Sequence, residues 1–454
     1  MRHIVVLTAA SSAGLVAIFA VDFINIFYLT RLENVAISAA AGFAATLFFF
    51  FISIGIGLTI AATALVAPAL GAGDLQAARR LAGNIHVLTF GLTAALCIAT
   101  WSFLDDLISL LGAAGEAKTL AVSYSRIALP STPFLTAGMV SAAVLRSVGD
   151  ARRSMYVTLF GAIVTAILDP IFIFGLGLGI EGAAIASSMS RLAIMIAGLY
   201  GTARVHNLLA IPSLRGIGAD APAIVKIAIP AILTNLATPF ANAYVTGAIS
   251  KFGDGAVAGW TIIGRLMPVA FVGMFALTGS IGPILGQNLG ARLFPRVREG
   301  FTDALLFAAL YTAGAWLFLA LAYPEINAIM KAQGQAVEVV GFFCVWLAPF
   351  FAFMGALFVS NAAFNNLGRP QLPTYINWAR ATLGTVPFVM LGAEMDGAKG
   401  VLIGQTAGSV IFAAVAVALC YRYIAQLTAA PDAPRQAKQV TARWWFWPSS
   451  NPRV

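Results

Sequence analysis

The sequence predicts an all-α integral membrane protein of about twelve transmembrane helices, arranged as two six-helix lobes that form a parallel internal repeat. Three observations predict it. Of the 454 residues, 60% are hydrophobic and only 10% are charged, whereas a soluble domain carries about 25% charged residues. Apolar runs of about 20 residues, the length a helix needs to cross the hydrocarbon core, recur along the whole chain. Finally, landmarks of the first half return in the second at a constant offset of about 219 residues.

In chain order the spans are expected at about 4–29, 36–66, 79–103, 117–142, 154–176, 181–203, 221–250, 256–284, 299–322, 335–362, 371–392 and 398–425. The runs are continuous rather than alternating, which argues against a transmembrane barrel. The first run holds Asp22 and lacks a small-residue cleavage site, so it reads as a retained helix rather than a signal peptide.

Basic residues set the orientation. With the amino terminus inside, the cytoplasmic loops carry Arg79, Arg80, Arg146, Arg152, Arg153, Arg204, Arg215, Arg292, Arg296, Arg298 and Arg369, and the tail adds Arg422, Arg435, Lys438, Arg443 and Arg453. The opposite loops hold Arg31, Lys118, Lys251, Lys331 and Lys399 beside seven acids, Asp105, Asp106, Glu116, Asp254, Glu325, Glu394 and Asp396. By the positive-inside rule both termini are cytoplasmic. The net charge of +9 is then a topology signal with some attraction to anionic lipid, and it does not point to nucleic acid. With no organelle signal in the chain, a prokaryotic cytoplasmic (inner) membrane is the expected location.

The repeat sets the domains. AAVLRSVGDARRS with Gly149 answers to AAFNNLGRPQLPT with Gly368, ALGAGDLQAAR with Gly71 to NLGARLFPRVR with Gly290, and Pro130 to Pro349. An even number of spans per unit makes the halves parallel, related by an axis along the membrane normal. The expected division is an amino-terminal lobe over 1–204, a cytoplasmic connector over 205–220, a carboxy-terminal lobe over 221–427 and a cytoplasmic tail over 428–454. The tail mixes Trp444, Trp445 and Trp447 with basic residues, which suits either the headgroup level or a disordered segment.

Two carboxylates stand inside apolar runs, Asp22 and Asp169. An acid at helix centre costs roughly 2.5–3.5 kcal/mol even on lenient insertion scales, so its default reading is an ion or proton site. Asp22 and Asp169 each lie about seven residues before the outer ends of the first and fifth spans, and Tyr124 and Ser187 lie at matching depth in the fourth and sixth, roughly 10 Å below the outer hydrocarbon boundary. These residues are expected to form one polar cluster. Two carboxylates buried together disfavour a second negative charge, so one shared proton is expected at neutral pH.

Other features carry less. Cys97, Cys344 and Cys420 have no ligand or redox spacing, and His3, His86 and His206 are scattered. Without a nucleophile motif or metal spacing, no enzyme and no cofactor are expected. Gly177, Gly179 and Gly182 fit a GxGxxG pattern, but a full span precedes them instead of a short strand, so tight helix packing explains them better than nucleotide binding. Arg126, Arg191, Arg265 and Arg380 fall within or near spans. Structural roles are expected for them, with Arg126, beside Tyr124, the one to touch the cluster. A weak stripe of aromatic, Met and amide residues, Phe240, Asn242, Tyr244, Met267, Met274, Asn361 and Asn365, offers candidate linings for a central cavity.

Four elements resemble the multidrug and toxic compound extrusion (MATE) transporters: GAGD at Gly71–Asp74, LRSVGDARRS at Leu145–Ser154, LDPIFIFGLGLGIEGAAIAS at Leu168–Ser187 and GQNLGA at Gly286–Ala291. The resemblance covers residues from about 10 to about 425. It implies a two-lobed exporter of organic cations, amphiphilic drugs or metabolites, driven by inward H⁺ or Na⁺, with small-molecule substrates and membrane lipid as its partners. Asp22 matches the family's acid of helix one, Asp169 the acid before Pro170 in helix five, Ser187 a hydroxyl position in helix six and Tyr124 a position in helix four. Thr165 stands where relatives usually carry Asn, and the first helix lacks the proline many relatives have there. In the second half, Ala241 and Phe388 occupy the repeat positions of Asp22 and Asp169. The resemblance therefore points to the branch of the DNA-damage-inducible type, with coupling through the amino-terminal lobe and any Na⁺ held at Asp22 and Asp169. A lipid-linked saccharide flippase of the same superfamily is the alternative. A channel is a further one, which two nonidentical lobes with acids on one side suit less well.

Overall fold

The computed structural model describes residues 1–30 and 35–429, without the side chains of residues 22–27, 29, 30 and 35. Helix is the regular structure throughout the described residues. The first half comprises α1 (Arg2–Thr30), α2 (Val35–Gly71), α3 (Leu75–Ser102), the short α4 (Leu104–Leu110), α5 (Gly115–Ala128), α6 (Thr132–Ser147), α7 (Ala151–Pro170) and α8 (Gly179–Leu199). The second comprises α9 (Leu214–Ile249), α10 (Asp254–Ala270), α11 (Val272–Gly290), α12 (Phe294–Ile329), α13 (Gln335–Phe342), α14 (Phe351–Asn366), α15 (Gln371–Thr382) and α16 (Val386–Ala429).

Among the described residues, 10 helical segments are long and apolar enough to cross a membrane, and the bent pair α10–α11 brings the number to 11. The last segment, Gln371–Ala429, is 59 residues long and holds two crossings. Its backbone leaves the helix at Asp396 and Gly397, and the chain then folds back on itself. A methyl group on Gly400, Gly404 or Gly408 would meet the carbonyl of Gly392, Phe388 or Gly384, so only glycine lets these backbones approach so closely. This hairpin supplies the remaining span of the expected twofold set.

The eighth crossing departs from the single helix expected over about 256–284. It breaks at Phe271, where α10 and α11 are bent by 46°. Pro268 is the cause: it lacks an N–H and its ring crowds the carbonyl one turn back. The matching position in the first half is Phe49, and α2 runs unbroken for 37 residues.

The repeat is visible in the backbone. Short 3₁₀ turns at Leu129–Ser131 and Ala348–Phe350, each with a proline, interrupt the fourth and tenth crossings. Left-handed residues recur as pairs, Gly73 with Arg292, Gly112 with Lys331, Gly115 with Gly334, and Gly149 with Gly368. Arg292 and Lys331 thus adopt a conformation that L side chains disfavour, in places where the first half has glycine.

Apolar clusters fill both halves, around Leu58, Val140 and Ala183 in the first, where α9 adds Ile224, Ile227 and Ala228, and around Phe271, Phe301 and Phe364 in the second, where Ile4 of α1 joins. The outer surface is apolar as well. On α12, Leu306, Leu310, Leu317 and Leu321 are exposed, while Phe301, Ala304 and Ala308 are buried. A stripe of exposed leucines at helical spacing suits lipid, not water.

The lobes meet along α2, α9 and α11 at the arginine-rich end. A methyl on Gly71 would meet the Gln287 carbonyl, and one on Gly290 would meet the Pro68 carbonyl, the same contact seen from either half of the repeat. Gln287 also donates its side-chain amide to the Ser147 carbonyl at 2.5 Å, closing the end of α6 from the other lobe. The GQNLGA element is therefore the clasp of this seam.

The connector is shorter than expected. Ser213 caps α9, accepting the Gly216 N–H at 3.1 Å, so the helix begins at Leu214 rather than near residue 221. Asp220 on that early helical stretch accepts from Asn84 at 2.7 Å and lies 3.2 Å from Arg80, which ties α9 to the first lobe. Helix α16 runs to Ala429, and the remaining tail, with its three tryptophans, lies outside the described residues.

Candidate functional site

Helix α7 delivers Asp169 to the interior of the first lobe. Asp169 is 0% exposed and Thr165, one turn earlier on the same face, is 9% exposed. Pro170 follows at once, and with no N–H it cannot continue the ladder. The chain loosens into a wide π turn over Ile171–Gly175, the kind of local rearrangement that collects at functional positions. The acid thus sits where the helix is least regular.

Two hydroxyls converge one to two turns below it. Thr165 donates to the Gly161 carbonyl at 3.2 Å, and Ser190 of α8 donates to the same oxygen at 2.8 Å. With their protons committed, both hydroxyl oxygens keep lone pairs for a cation. Gly161 is required here because any Cβ would strike the Ile194 side chain.

The antiparallel pairing of α7 and α8 places the remaining candidates. Ser190 lies level with Gly161, and Gly182 lies against the Phe172 carbonyl, so Ser187, half-buried, falls at the level between Thr165 and Asp169. On α5, Ser123 donates to Glu181 at 2.6 Å, while Ser188 donates to the Ile127 carbonyl at 3.3 Å. Tyr124, one residue past Ser123, is therefore level with about Ala183, toward the Glu181 end of that stretch. It packs in one cluster with Ile173, a turn beyond Asp169, and its ring stands edge-on to Phe48 at 6.2 Å.

Helix α1 runs parallel to α7, with Gly14 against Thr158. Counting about eight residues along each helix brings the Asp22 backbone level with Ala166, within one turn of Asp169. The Asp22 side chain lies outside the described residues. Helix α1 is continuous without the missing proline.

One arginine differs from expectation. Arg126 does not touch the cluster; it pairs with Asp105 at 2.8 Å on the surface, because residues two apart on a helix point to opposite sides. Arg191, half-buried, takes a structural role, as expected for the arginines near the spans. It donates to the Ala128 carbonyl at 2.8 Å and to the Ser131 and Thr132 hydroxyls at 3.1 and 3.3 Å. Its guanidinium also lies 4.6 Å from the Phe48 ring. The 3₁₀ turn at Pro130 frees the Ala128 carbonyl by diverting the Thr132 N–H to Leu129, and this signal was readable as the proline repeat.

The expected cavity stripe divides. Phe240 and Asn242 are exposed, and Tyr244 and Met267 are half-buried. Met274, Asn361 and Asn365 are 0%, 8% and 4% exposed, so they face the interior of the second lobe and not an open wall. Met274 is pinned between Gly355 and the lobe core. The stripe followed composition, and helical spacing turns these three toward the packed side.

At the arginine-rich end, Asp150 caps α7. Burial works to raise its carboxyl, but it accepts from His206 at 2.8 Å, from the Arg153 N–H at 3.0 Å and from the Arg153 guanidinium at 2.5 Å. These contacts win, and the carboxyl is held well below the usual carboxylate range.

Comparison with known proteins agrees with this architecture. The MatE family model matches the chain twice, over residues 11–171 and 230–391. A FAD transporter of Shewanella oneidensis is 29% identical over 425 residues, covering 92% of either chain. The multidrug export protein MepA of Staphylococcus haemolyticus is 23% identical over 410 residues, covering 89% of this chain and 90% of that one. Among solved structures, a mutant of the Vibrio cholerae MATE transporter VcmN superposes with a TM-score of 0.88 at 25% identity, covering 94% of this chain and 97% of that one.

Proposed function

The chain belongs to the MatE family of multidrug-efflux transporters, and from that premise we propose that it is a secondary antiporter whose coupling site is the Asp169 region of the first lobe. The observation that carries this is a fully buried acid with two hydroxyls, Thr165 and Ser190, turned toward one carbonyl one to two turns below it. A carboxylate and hydroxyl oxygens are ligands for a proton or a hard cation such as Na⁺. Asp22, Tyr124 and Ser187 complete the set in this reading. The exported compounds are amphiphilic drugs or metabolites, with organic cations as the first expectation.

In this reading the arginine-rich end is cytoplasmic, as the positive-inside rule requires, and the membrane is the inner one. The clasp of Gly71, Gln287 and Gly290 then closes the cytoplasmic side and leaves the lobes facing outward. An ion entering from outside reaches the acids, the first lobe rearranges around Pro170, and substrate is released. The second lobe has Ala241 and Phe388 at the matching positions, so cation coupling falls to the first lobe in this reading.

A second reading of the cargo rests on one comparison: a relative that matches over 92% of either chain is named a FAD transporter. A flavin nucleotide is an anionic amphiphile, opposite in charge to ethidium. Proteoliposome flux decides between them. Inward H⁺ or Na⁺ jumps are expected to drive efflux of ethidium or of FAD. Flux that ignores both gradients would remove the antiporter reading.

A further inference from the structure

The second lobe also buries a charge, and it is a cation. Arg380 on α15 is 3% exposed. Its hydrogen bond among the described residues runs from Nη2 to the Thr238 hydroxyl of α9 at 3.2 Å, and its Nε is buried without a partner. No carboxylate lies within ion-pair distance of it among the described residues.

Amide groups stand beside it. Asn377, one turn earlier on α15, donates to Asn361 of α14 at 3.1 Å and to the Pro373 carbonyl at 2.8 Å. Asn365, the next turn of α14, keeps a buried carbonyl oxygen without a partner. Three helices thus bring a guanidinium, amides and a hydroxyl to one place.

The repeat gives this cluster meaning. At the offset of about 219 residues, Arg380 stands where the first lobe has Gly161, the acceptor shared by Thr165 and Ser190. Ala241 and Phe388 replace the two acids. Where one lobe presents oxygens to a cation, the other presents nitrogen donors with no counter-charge. A buried arginine lacking an acid is a costly arrangement unless something negative joins it. Guanidinium forks suit carboxylate and phosphate groups, and they also hold halides.

We propose that this cluster is an anion site, with Arg380 as the binding residue and the Thr238 hydroxyl as its flanking donor, while Asn377, its amide protons already spent on Asn361 and Pro373, braces α15 against α14. Its occupant is an anionic group, either the carboxylate or phosphate of a transported amphiphile or an inorganic co-ion such as chloride. Entry requires α9 and α15 to part along a seam of Ala237, Ala241 and Ala381 with Trp378 packed against them, which breaks the Trp378 donation to the Leu233 carbonyl at 3.0 Å. The proposal deepens the reading of the chain as an exporter by assigning the second lobe a charge preference.

Isothermal titration calorimetry of the full chain in detergent tests it, with gluconate as the background anion. Sodium chloride, flavin mononucleotide and uncharged riboflavin are the probes. Saturable binding of chloride or of flavin mononucleotide is expected, at least tenfold weaker in Arg380→Met and intermediate in Arg380→Lys. Arg380→Met replaces a buried charge with an apolar chain of similar length, and monodisperse elution checks its fold; Thr238→Val supplies a milder variant expected to weaken binding severalfold. Chloride binding alone assigns the site to a co-ion. Binding of the phosphate compound but not of riboflavin or chloride assigns it to substrate. No anion binding by the wild type, or equal affinity in Arg380→Met, overturns the proposal. Because no gradient is applied, this result is independent of whether transport is ion-driven.

Discussion

Thr165 and Ser190, on antiparallel helices, donate to one oxygen, the Gly161 carbonyl, at 3.2 and 2.8 Å. Each hydroxyl spends its proton on that carbonyl and retains its lone pairs. The pair therefore fixes α7 against α8 and at the same time prepares acceptor oxygens below Asp169.

That double role separates two substitutions. Thr165→Ser keeps the hydroxyl and is expected to keep ion affinity within about twofold, while Thr165→Val is expected to weaken it roughly tenfold. Stability changes by about 1 kcal/mol or less, the net worth of a typical hydrogen bond, because Ser190 still satisfies the carbonyl. Ion-dependent quenching of tryptophan fluorescence gives the affinity, and thermal unfolding in detergent gives the stability. Equal affinities in both variants would mean that the hydroxyl only packs.

Acid stability should report on Asp150. Its carboxyl is held below the ordinary range, so its contribution is fully present above about pH 4, the unperturbed aspartate value, and is lost as pH falls through the folded value. Asp150→Asn is expected to lower the melting temperature at pH 7. The gap between wild type and variant should shrink as the pH is taken below 4. A gap that stays constant or grows on acidification would contradict the assignment of His206 and Arg153 as its stabilising partners.

The clasp at the lobe seam predicts a conformational shift. Gly290→Val puts a branched side chain against the Pro68 carbonyl, so the arginine-rich end cannot close as it does here. The native cysteines are buried, which leaves spin labels at Gln76→Cys and Arg296→Cys as clean reporters. Their distance distribution, measured by double electron–electron resonance, should move outward in Gly290→Val. An unchanged distribution would mean that the seam has slack the structure does not show.

Much of this was legible from residue order, for physical reasons that differ element by element. Long apolar runs declare spans because bilayer thickness sets their length, and the prolines read as a repeat landmark, Pro130 and Pro349, lie in both 3₁₀ breaks. Asp169 announced itself because a buried acid is costly anywhere in such a run. The bend at Phe271 was missed because Pro268 sits inside a run that is apolar throughout, so hydropathy is blind to it. Ser190 was missed because a serine in a span is ordinary until a neighbouring helix supplies the carbonyl it binds. The burial of Met274, Asn361 and Asn365 was not legible, because composition names a residue's chemistry and only packing decides which way it faces.

The coupling role of Asp169 is tested most directly in proteoliposomes, by comparing gradient-driven efflux in wild type and Asp169→Asn at matched protein density. The amide keeps the shape and removes the titratable charge. The account predicts at least a tenfold loss of H⁺- or Na⁺-driven efflux in Asp169→Asn, with substrate binding retained. Wild-type gradient-driven efflux in that variant would contradict it.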